Sequence, residues 1–219
     1  QGQKCSAASR AYIPESVWNA IKDDYVNEVS KISVGDPKDF SNFMGAVIDR
    51  KSFDNIAGYI DRANRDSGCE IVTGGKYDDS TGYFVQPTTI VCSDPNYETM
   101  AEEIFGPVLS IYVYPDHEFI ETLDLCDNTS EYALTGSIFA ANREDIEVAM
   151  AALRYSAGNF YINDKPTGAV VGQQPFGGAR GSGTNDKAGS PLNLLRWVSP
   201  RSIKETFAPP HEWTYGFLN

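Results

Sequence analysis

The sequence predicts an α/β domain in which helices cover both faces of a mostly parallel sheet. Segments with apolar residues three or four positions apart alternate along the chain with short runs of β-branched and aromatic residues. This alternation is typical of a parallel sheet, because parallel strands need a long crossover connection that is usually a helix. A chain of 219 residues is also long enough to bury a sizeable core without disulfide or metal support.

The first predicted elements are two helices followed by three strands. A helix over residues 14–32 begins with Pro14 in its first turn, and its apolar positions are Val17, Ile21, Tyr25, Val29 and Ile32. A second helix follows from the spacing of Phe53, Ile56, Ala57, Ile60 and Ala63, and Gly68 is expected to end it. Runs of strand-forming residues predict strands over residues 70–73, 88–92 and 108–114.

The second part of the chain continues the alternation up to a glycine-rich segment. Helices are predicted over residues 116–126 and 143–153, the latter with one apolar face formed by Ile146, Ala149, Met150 and Leu153. A buried strand is expected over residues 134–141 and a short one over residues 160–162. Residues 167–189 contain seven glycines and no periodicity, which predicts a long loop.

Composition excludes several function classes. The chain has 18 Lys and Arg against 30 Asp and Glu, and the resulting net charge of −12 argues against a nucleic-acid surface, which needs a basic face. We find no apolar run near the roughly 20 residues of a membrane span. Four cysteines without a Cys-x-x-Cys pair, and two histidines far from them in sequence, give little support to a metal site. Reduced thiols in an intracellular compartment are the favoured interpretation.

The residues with candidate chemistry remain ambiguous when they are taken singly. Cys5 has a lysine beside it and small residues around it, as a reactive thiol would, but an isolated cysteine is more often buried and structural. The pair Glu102 and Glu103 could equally be a solvated helix end. The glycines between residues 177 and 183 lack the spacing of a phosphate-binding loop or a dinucleotide fingerprint, so they are a weak signal.

Three segments together, in this order, resemble the motifs of the aldehyde dehydrogenase superfamily. Residues 2–7 (Gly-Gln-Lys-Cys-Ser-Ala) resemble its nucleophile motif, and residues 102–108 (Glu-Glu-Ile-Phe-Gly-Pro-Val) resemble its cofactor-contacting motif. Residues 174–178 (Gln-Pro-Phe-Gly-Gly), followed by Arg-Gly-Ser-Gly at 180–183, resemble its late glycine-rich loop. The separations match the catalytic part of that fold, so the resemblance covers essentially the whole chain. It implies a three-layer α/β catalytic domain.

Longer strings narrow the resemblance to one branch of the superfamily. Residues 167–178, the run Gly-Thr-Asn-Asp-Lys at 183–187 and the Leu-Arg-Trp at 195–197 with Ser199 and Pro200 are similar to the mitochondrial eukaryotic enzymes that oxidise glutamate semialdehyde. This implies an NAD-dependent oxidation of glutamate semialdehyde to glutamate in proline catabolism, within the mitochondrial matrix. Alternatives are another semialdehyde-type aldehyde dehydrogenase, or a non-catalytic interaction module of the same fold.

The resemblance also implies roles for individual residues. Cys5 would be the nucleophile, since a polarizable thiolate suits covalent attack on an aldehyde carbon. Glu103 and Phe105 would contact NAD, whereas Glu102 is expected to be mainly structural. The substrate is expected to meet four residues, of which the first three would bind its carboxylate and the last would flank its aliphatic part: Ser6, Gly168, Ala169 and Phe176.

The expected organisation is a catalytic domain followed by an assembly segment. Residues 1–196 would form the catalytic domain, and residues 197–219 an oligomerisation strand and tail of at least a dimer, with Pro200 restricting the strand to an edge. The resemblance places the NAD-binding domain, the oxyanion-hole asparagine and the water-activating glutamate outside this chain. The chain would then be the C-terminal catalytic half of such an enzyme and would not turn over alone.

Overall fold

A four-stranded sheet organises the computed structural model, which describes residues 1–218. The strand order is β1 (Arg10–Pro14), β6 (Val108–Tyr114), β5 (Thr88–Cys92) and β2 (Cys69–Thr73). β6 pairs in parallel with both β1 and β5, while the edge strand β2 runs antiparallel to β5. The sheet is therefore mostly parallel, as the sequence predicts.

Helices α1 (Glu15–Ser30) and α2 (Arg50–Arg65) cover opposite faces of this sheet. The Tyr25 hydroxyl of α1 lies 2.7 Å from the hydroxyl of Thr89 on β5. The next residue, Ile90, packs in the hydrophobic core together with the apolar face of α2. Because successive side chains of a strand point to opposite faces, the two helices and the sheet form three layers.

The main core lies between α2 and the sheet. The Asp49 side chain caps α2 by accepting a hydrogen bond of 2.7 Å from the backbone N–H of Ser52. The buried side of the helix follows the predicted three- and four-residue spacing, and its residues are Phe53, Ile56, Ala57, Tyr59, Ile60 and Ala63. This burial is the main stabilising term for the layer, since apolar area removed from water contributes about 25 cal/mol per Å².

A second, smaller unit supports the glycine-rich loop. Here β8 (Thr135–Ile138) pairs in parallel with β9 (Asn159–Ile162), and α4 (Phe119–Asn128) packs against α5 (Arg143–Ala152). A small apolar cluster joins the two helices through Leu123, Ala149 and Leu153. The remaining short elements are β3 (Tyr77–Asp78), β4 (Phe84–Val85), α3 (Glu98–Ala101), β7 (Tyr132–Ala133), β10 (Ala179–Arg180), α6 (Pro191–Leu194) and two 3₁₀ turns, Leu195–Trp197 and Gly216–Leu218.

Several details of the predicted elements are wrong. Strand β1 was not predicted, because it runs directly into α1 through Pro14, which caps that helix instead of occupying its first turn. Trp18 is the buried residue of α1, whereas Val17 and Ile21 on the predicted face are exposed. Strand β8 is shorter than the predicted residues 134–141 and is only half-buried. Helix α2 ends at Asp66, before Gly68, and Met150 on the predicted apolar face of α5 is exposed.

The C-terminal segment lies open along the surface. Residues 198–206 contain no strand in the described chain, and large apolar side chains of the segment are exposed, among them Trp197, Ile203, Phe207, Trp213, Tyr215 and Phe217. Tyr215 and Phe217 stack on each other with ring centroids 5.8 Å apart. In the single chain these residues form no strand. That they form a strand in an assembly, and that the catalytic domain ends at residue 196, stay predictions.

Candidate active site

A tight turn presents the predicted nucleophile. The backbone N–H of Ala7 donates to the carbonyl of Lys4 at 3.0 Å, which places Cys5 and Ser6 in the two central positions of the turn. The Cys5 thiol is exposed, and the Lys4 ammonium donates to its sulfur at 3.9 Å. The turn therefore leaves the sulfur accessible from solvent, with one polar contact to the neighbouring side chain.

The other cysteines have surroundings that suit a structural role. Cys92 is buried, and Cys69 and Cys126 are half-buried. Burial raises the pKa of all three thiols, to about 12 for Cys69, where the neighbouring Cys92 adds to the effect. A thiol with a raised pKa is a weak nucleophile near neutral pH. Cys5 is the exposed member of the four and therefore the best placed for attack on a substrate.

The nucleophile segment packs directly against the second motif. Gly2 has a φ of 72°, and an added Cβ there would lie 2.8 Å from the carbonyl carbon of Gly106 and closer still to its oxygen. Only glycine permits both this backbone conformation and this approach. The segment that leads into Cys5 is thereby held against the Gly106–Pro107 peptide, directly after Phe105.

The second motif alternates between inward and outward side chains. Ile104 is buried, while Glu103 and Phe105 on either side of it are exposed. Phe105 has a φ of 57°, a conformation that is uncommon for a non-glycine residue and turns the chain sharply. The Tyr59 hydroxyl of α2 donates to the Glu102 carboxylate, and this hydrogen bond is the main reason that the pKa of Tyr59 rises to about 12. Glu102 is thus a structural anchor.

The exposed side chains of this motif suit the binding of the nicotinamide end of NAD. An exposed carboxylate can accept strong hydrogen bonds from vicinal hydroxyls of a ribose, and an exposed ring beside it can pack against a flat heterocycle. Glu103 and Phe105 supply these groups from one short, anchored segment. These two residues are the ones in this chain that would hold the nicotinamide end of the cofactor.

The start of the 167–178 segment meets the nucleophile turn through a pair of hydroxyls. The Ser6 side chain is buried, and its Oγ lies 2.7 Å from Oγ1 of Thr167. The next residue, Gly168, has a φ of 84° and is exposed, and Ala169 is half-buried. The structure therefore brings Ser6 and the Gly168–Ala169 segment together, although 161 positions separate Ser6 from Thr167 in sequence.

Phe176 lies further along the same loop. It is half-buried and pairs with Ala188 in an isolated antiparallel bridge, which gives the glycine-rich segment a defined hairpin-like base. The described part of the loop is thus folded, as a long loop with a function is expected to be.

Several residues of the site were missed by the sequence reasoning. Gly2 carried a signal, since glycine beside a candidate nucleophile often marks close backbone packing. Tyr59 and Thr167 carried none, because their partners are distant in sequence and hydroxyl groups occur throughout the chain. Within residues 1–218 we find no group of three His, Cys, Asp or Glu side chains able to hold a metal ion. No described helix is long and apolar enough to cross a bilayer.

Comparison with known proteins defines the class. Residues 1–203 match the model of the aldehyde dehydrogenase family, and the chain belongs to that family. Among its relatives, the mitochondrial Δ1-pyrroline-5-carboxylate dehydrogenase of Dictyostelium discoideum is 61% identical over 218 residues, and the human mitochondrial enzyme of that name is 54% identical. These alignments cover 100% and 99% of this chain and 39% of each relative, so the chain spans about 39% of their length.

A solved structure shows that the fold is also similar. The crystal structure of the Δ1-pyrroline-5-carboxylate dehydrogenase from Mycobacterium tuberculosis is 52% identical, has a TM-score of 0.85 and covers 100% of this chain, which corresponds to 40% of that one. A second structure of that enzyme, bound with NAD, matches with the same values. The predicted aldehyde dehydrogenase fold is therefore confirmed.

Proposed function

We propose that this chain is the catalytic-cysteine part of an NAD-dependent dehydrogenase that oxidises glutamate semialdehyde to glutamate. The observation that carries the proposal is the exposed Cys5 with its neighbours in sequence: Gly2 contacts the second motif at Gly106, and Ser6 contacts Thr167. In this proposal the nucleophile, the cofactor-binding carboxylate and the anion-binding loop lie on segments that contact one another. The relatives named Δ1-pyrroline-5-carboxylate dehydrogenase, and the NAD in one of their structures, support this choice.

In the proposed reaction, Cys5 acts as a covalent catalyst. Its thiolate attacks the aldehyde carbon, a carbon–sulfur bond forms, and the carbonyl electron pair moves to the oxygen to give a thiohemiacetal. In this proposal the backbone N–H of Cys5 donates to the oxyanion and stabilises it. When bound, NAD accepts the hydride that leaves this carbon. The resulting thioester is hydrolysed by water, which releases the acid and regenerates the thiol. Glu103 and Phe105 hold the nicotinamide end during the transfer.

Selectivity for glutamate semialdehyde requires a site for its carboxylate. Exposed backbone N–H groups at a glycine can approach an anion closely because no Cβ intervenes. Gly168 and Ala169 supply such groups, and the Ser6 hydroxyl beside them adds a donor. Phe176 flanks the aliphatic part of the substrate. Short aldehydes would not use these groups.

The proposal extends to location and assembly. Relatives with mitochondrial in their names support action in mitochondria, and we place the protein in the matrix, where its thiols stay reduced. The exposed aromatic side chains of residues 197–218 support an assembly of at least two copies, since soluble proteins usually cover such surfaces. In this proposal the activity also needs an NAD-binding part that lies outside this chain.

The test compares substrates in a full-length enzyme that contains this chain. NADH formation is followed by absorbance with glutamate semialdehyde, succinate semialdehyde and propanal as substrates. We expect kcat/KM for glutamate semialdehyde to exceed that for propanal by about a hundredfold or more, because a site built to hydrogen-bond a polar group rejects analogues that lack it. Preference for succinate semialdehyde would contradict the proposal in favour of another semialdehyde dehydrogenase. The absence of any NADH would favour a non-catalytic module.

A further inference from the structure

A buried asparagine holds the main chain on both sides of Phe176. Asn159 is the first residue of β9 and is 7% exposed. Its Nδ2 donates to the carbonyl of Pro175 at 3.1 Å, and its Oδ1 accepts from the backbone N–H of Gly177 at 3.1 Å. One side chain therefore satisfies the two peptide groups that flank Phe176, which leaves that residue little freedom to move along the loop.

Phe176 itself is fixed from the opposite side of the loop. Its backbone N–H donates to the carbonyl of Ala188 at 2.9 Å, and its carbonyl accepts from the backbone N–H of Ala188 at 2.7 Å. Together with Asn159, these bonds engage three consecutive residues of the loop, 175–177. The main chain on both sides of Phe176 and that of Phe176 itself are therefore hydrogen-bonded to fixed partners.

The loop also sits directly on the start of β9. An added Cβ on Gly158 would lie 2.7 Å from the carbonyl carbon of Gly177 and closer to its oxygen, so the two main chains are in contact. The Lys187 ammonium donates to the carbonyls of Gly158 at 2.5 Å and Gly177 at 3.4 Å. Its charge thus joins the two segments, and burial lowers the pKa of this lysine.

We propose that Asn159 is a positioning residue that sets aldehyde specificity by fixing Phe176. The inference rests on the proposed function, in which Phe176 flanks the aliphatic part of the substrate. Asn159 does not touch the substrate in this account, because its side chain is buried beneath the loop and both of its polar atoms are engaged. Loss of its donor frees the Pro175 carbonyl and lets the Phe176 ring shift.

Asparagine suits this role because one planar group supplies both a donor and an acceptor. The change Asn159→Asp has nearly the same shape and keeps the acceptor for Gly177, but the ionised carboxylate faces the Pro175 carbonyl without a proton to donate. When that carboxyl is protonated it can donate again. In this variant the hydrogen bond to the Pro175 carbonyl therefore depends on pH. If Asn159 had a purely structural role, that pH dependence would not change the preference of the enzyme between substrates.

The experiment measures kcat and KM of the full-length enzyme for glutamate semialdehyde and for propanal. For Asn159→Asp at pH 8 we expect the KM for glutamate semialdehyde to rise about tenfold, the usual effect of losing one buried hydrogen bond, with kcat/KM for propanal within about twofold of wild type. At about pH 5.5 part of the loss should be recovered, since a buried carboxyl titrates above its usual range. Asn142→Ala is the stability control, because it removes the N-cap of α5.

A double-mutant cycle with Phe176→Ala tests whether Asn159 changes KM through Phe176. If Asn159 acts through Phe176, the two changes together should raise KM by no more than Phe176→Ala alone, because interacting residues are not additive. Additive effects, an unchanged KM in folded Asn159→Asp, or equal losses for both substrates would each overturn the inference. A wild-type enzyme with no activity on glutamate semialdehyde would instead overturn the proposed function. If Asn159→Asp fails to fold, Lys187→Met is the second variant, because Lys187 joins the loop to the start of β9 through the carbonyls of Gly158 and Gly177. The same KM comparison and the same cycle with Phe176→Ala are measured, and the same results support or overturn the inference.

Discussion

The substitution Gly2→Ala probes the contact between the nucleophile segment and the cofactor motif. Two costs follow from the structure. A left-handed conformation costs a non-glycine residue about 1–2 kcal/mol, and Gly2 has a φ of 72°. In addition, the new Cβ would lie 2.8 Å from the Gly106 carbonyl carbon, whereas real Cβ atoms essentially never approach within 3.0 Å, so the two main chains must separate.

The size of that separation sets the expected effect on catalysis. Both partners are backbone atoms, so no side chain can rotate away, and the shift passes directly to Cys5 and to Phe105. A displacement of about 1 Å at a reacting group can cost about a hundredfold in rate, and we expect a shift of several tenths of an ångström to lower kcat at least about tenfold.

Gly75→Ala is the matched control for backbone strain. Gly75 has a φ of 73°, but an added Cβ there would meet only the Ile71 side chain, at 3.1 Å. Gly75→Ala should lose about 1–2 kcal/mol of unfolding free energy in urea titrations, because it places a side chain in the left-handed region. Gly2→Ala should lose at least that much, because the backbone contact adds to the same strain. Only Gly2→Ala should also lower kcat and the rate of Cys5 alkylation. Equal activity of the two variants would refute the coupling of the two motifs.

Two further predictions concern the anchor of the cofactor motif and assembly. Tyr59→Phe leaves the Glu102 carboxylate without its donor, and we expect KM for NAD to rise about tenfold, as for loss of a hydrogen bond to a charged group. Tyr77→Phe is its control, because the Tyr77 hydroxyl donates to Asp61 of the same helix away from the motif; equal effects would contradict a special role of Glu102. Deletion of residues 211–219 should reduce the mass of the assembly in light scattering at low concentration, and an unchanged mass would argue against an assembly role of the tail.

Local sequence patterns predicted the central strands well. The bounds of β5 and β6 agree with prediction, because both are runs of β-branched and aromatic residues that end at turn-forming residues. β1 was missed because it has no such boundary before α1. In α1 only the first part of the predicted face was wrong: Val17 and Ile21 are exposed and Trp18 is buried, while Tyr25 and Val29 are half-buried. Both choices are compatible with helical spacing, and only packing decides between them.

The motif residues of the candidate site could be predicted, but not the contacts between them. Cys5, Glu103 and Gly168 follow from short local strings. The pairs that join these strings, such as Ser6 with Thr167 and Tyr59 with Glu102, bridge 161 and 43 positions. Periodicity and turn chemistry carry no information at such distances, because tertiary packing alone brings the partners together.

The central claim is that Cys5 forms the covalent intermediate, and Cys5→Ala in the full-length enzyme tests it most directly. We expect NADH formation from glutamate semialdehyde to fall at least about a thousandfold, as on removal of other catalytic nucleophiles, while the Kd for NAD measured by calorimetry stays within about twofold, because no new charge or volume enters the cofactor surface. Cys126→Ala, which removes a half-buried thiol, is the control and should retain turnover. Substantial NADH formation by Cys5→Ala would contradict the account.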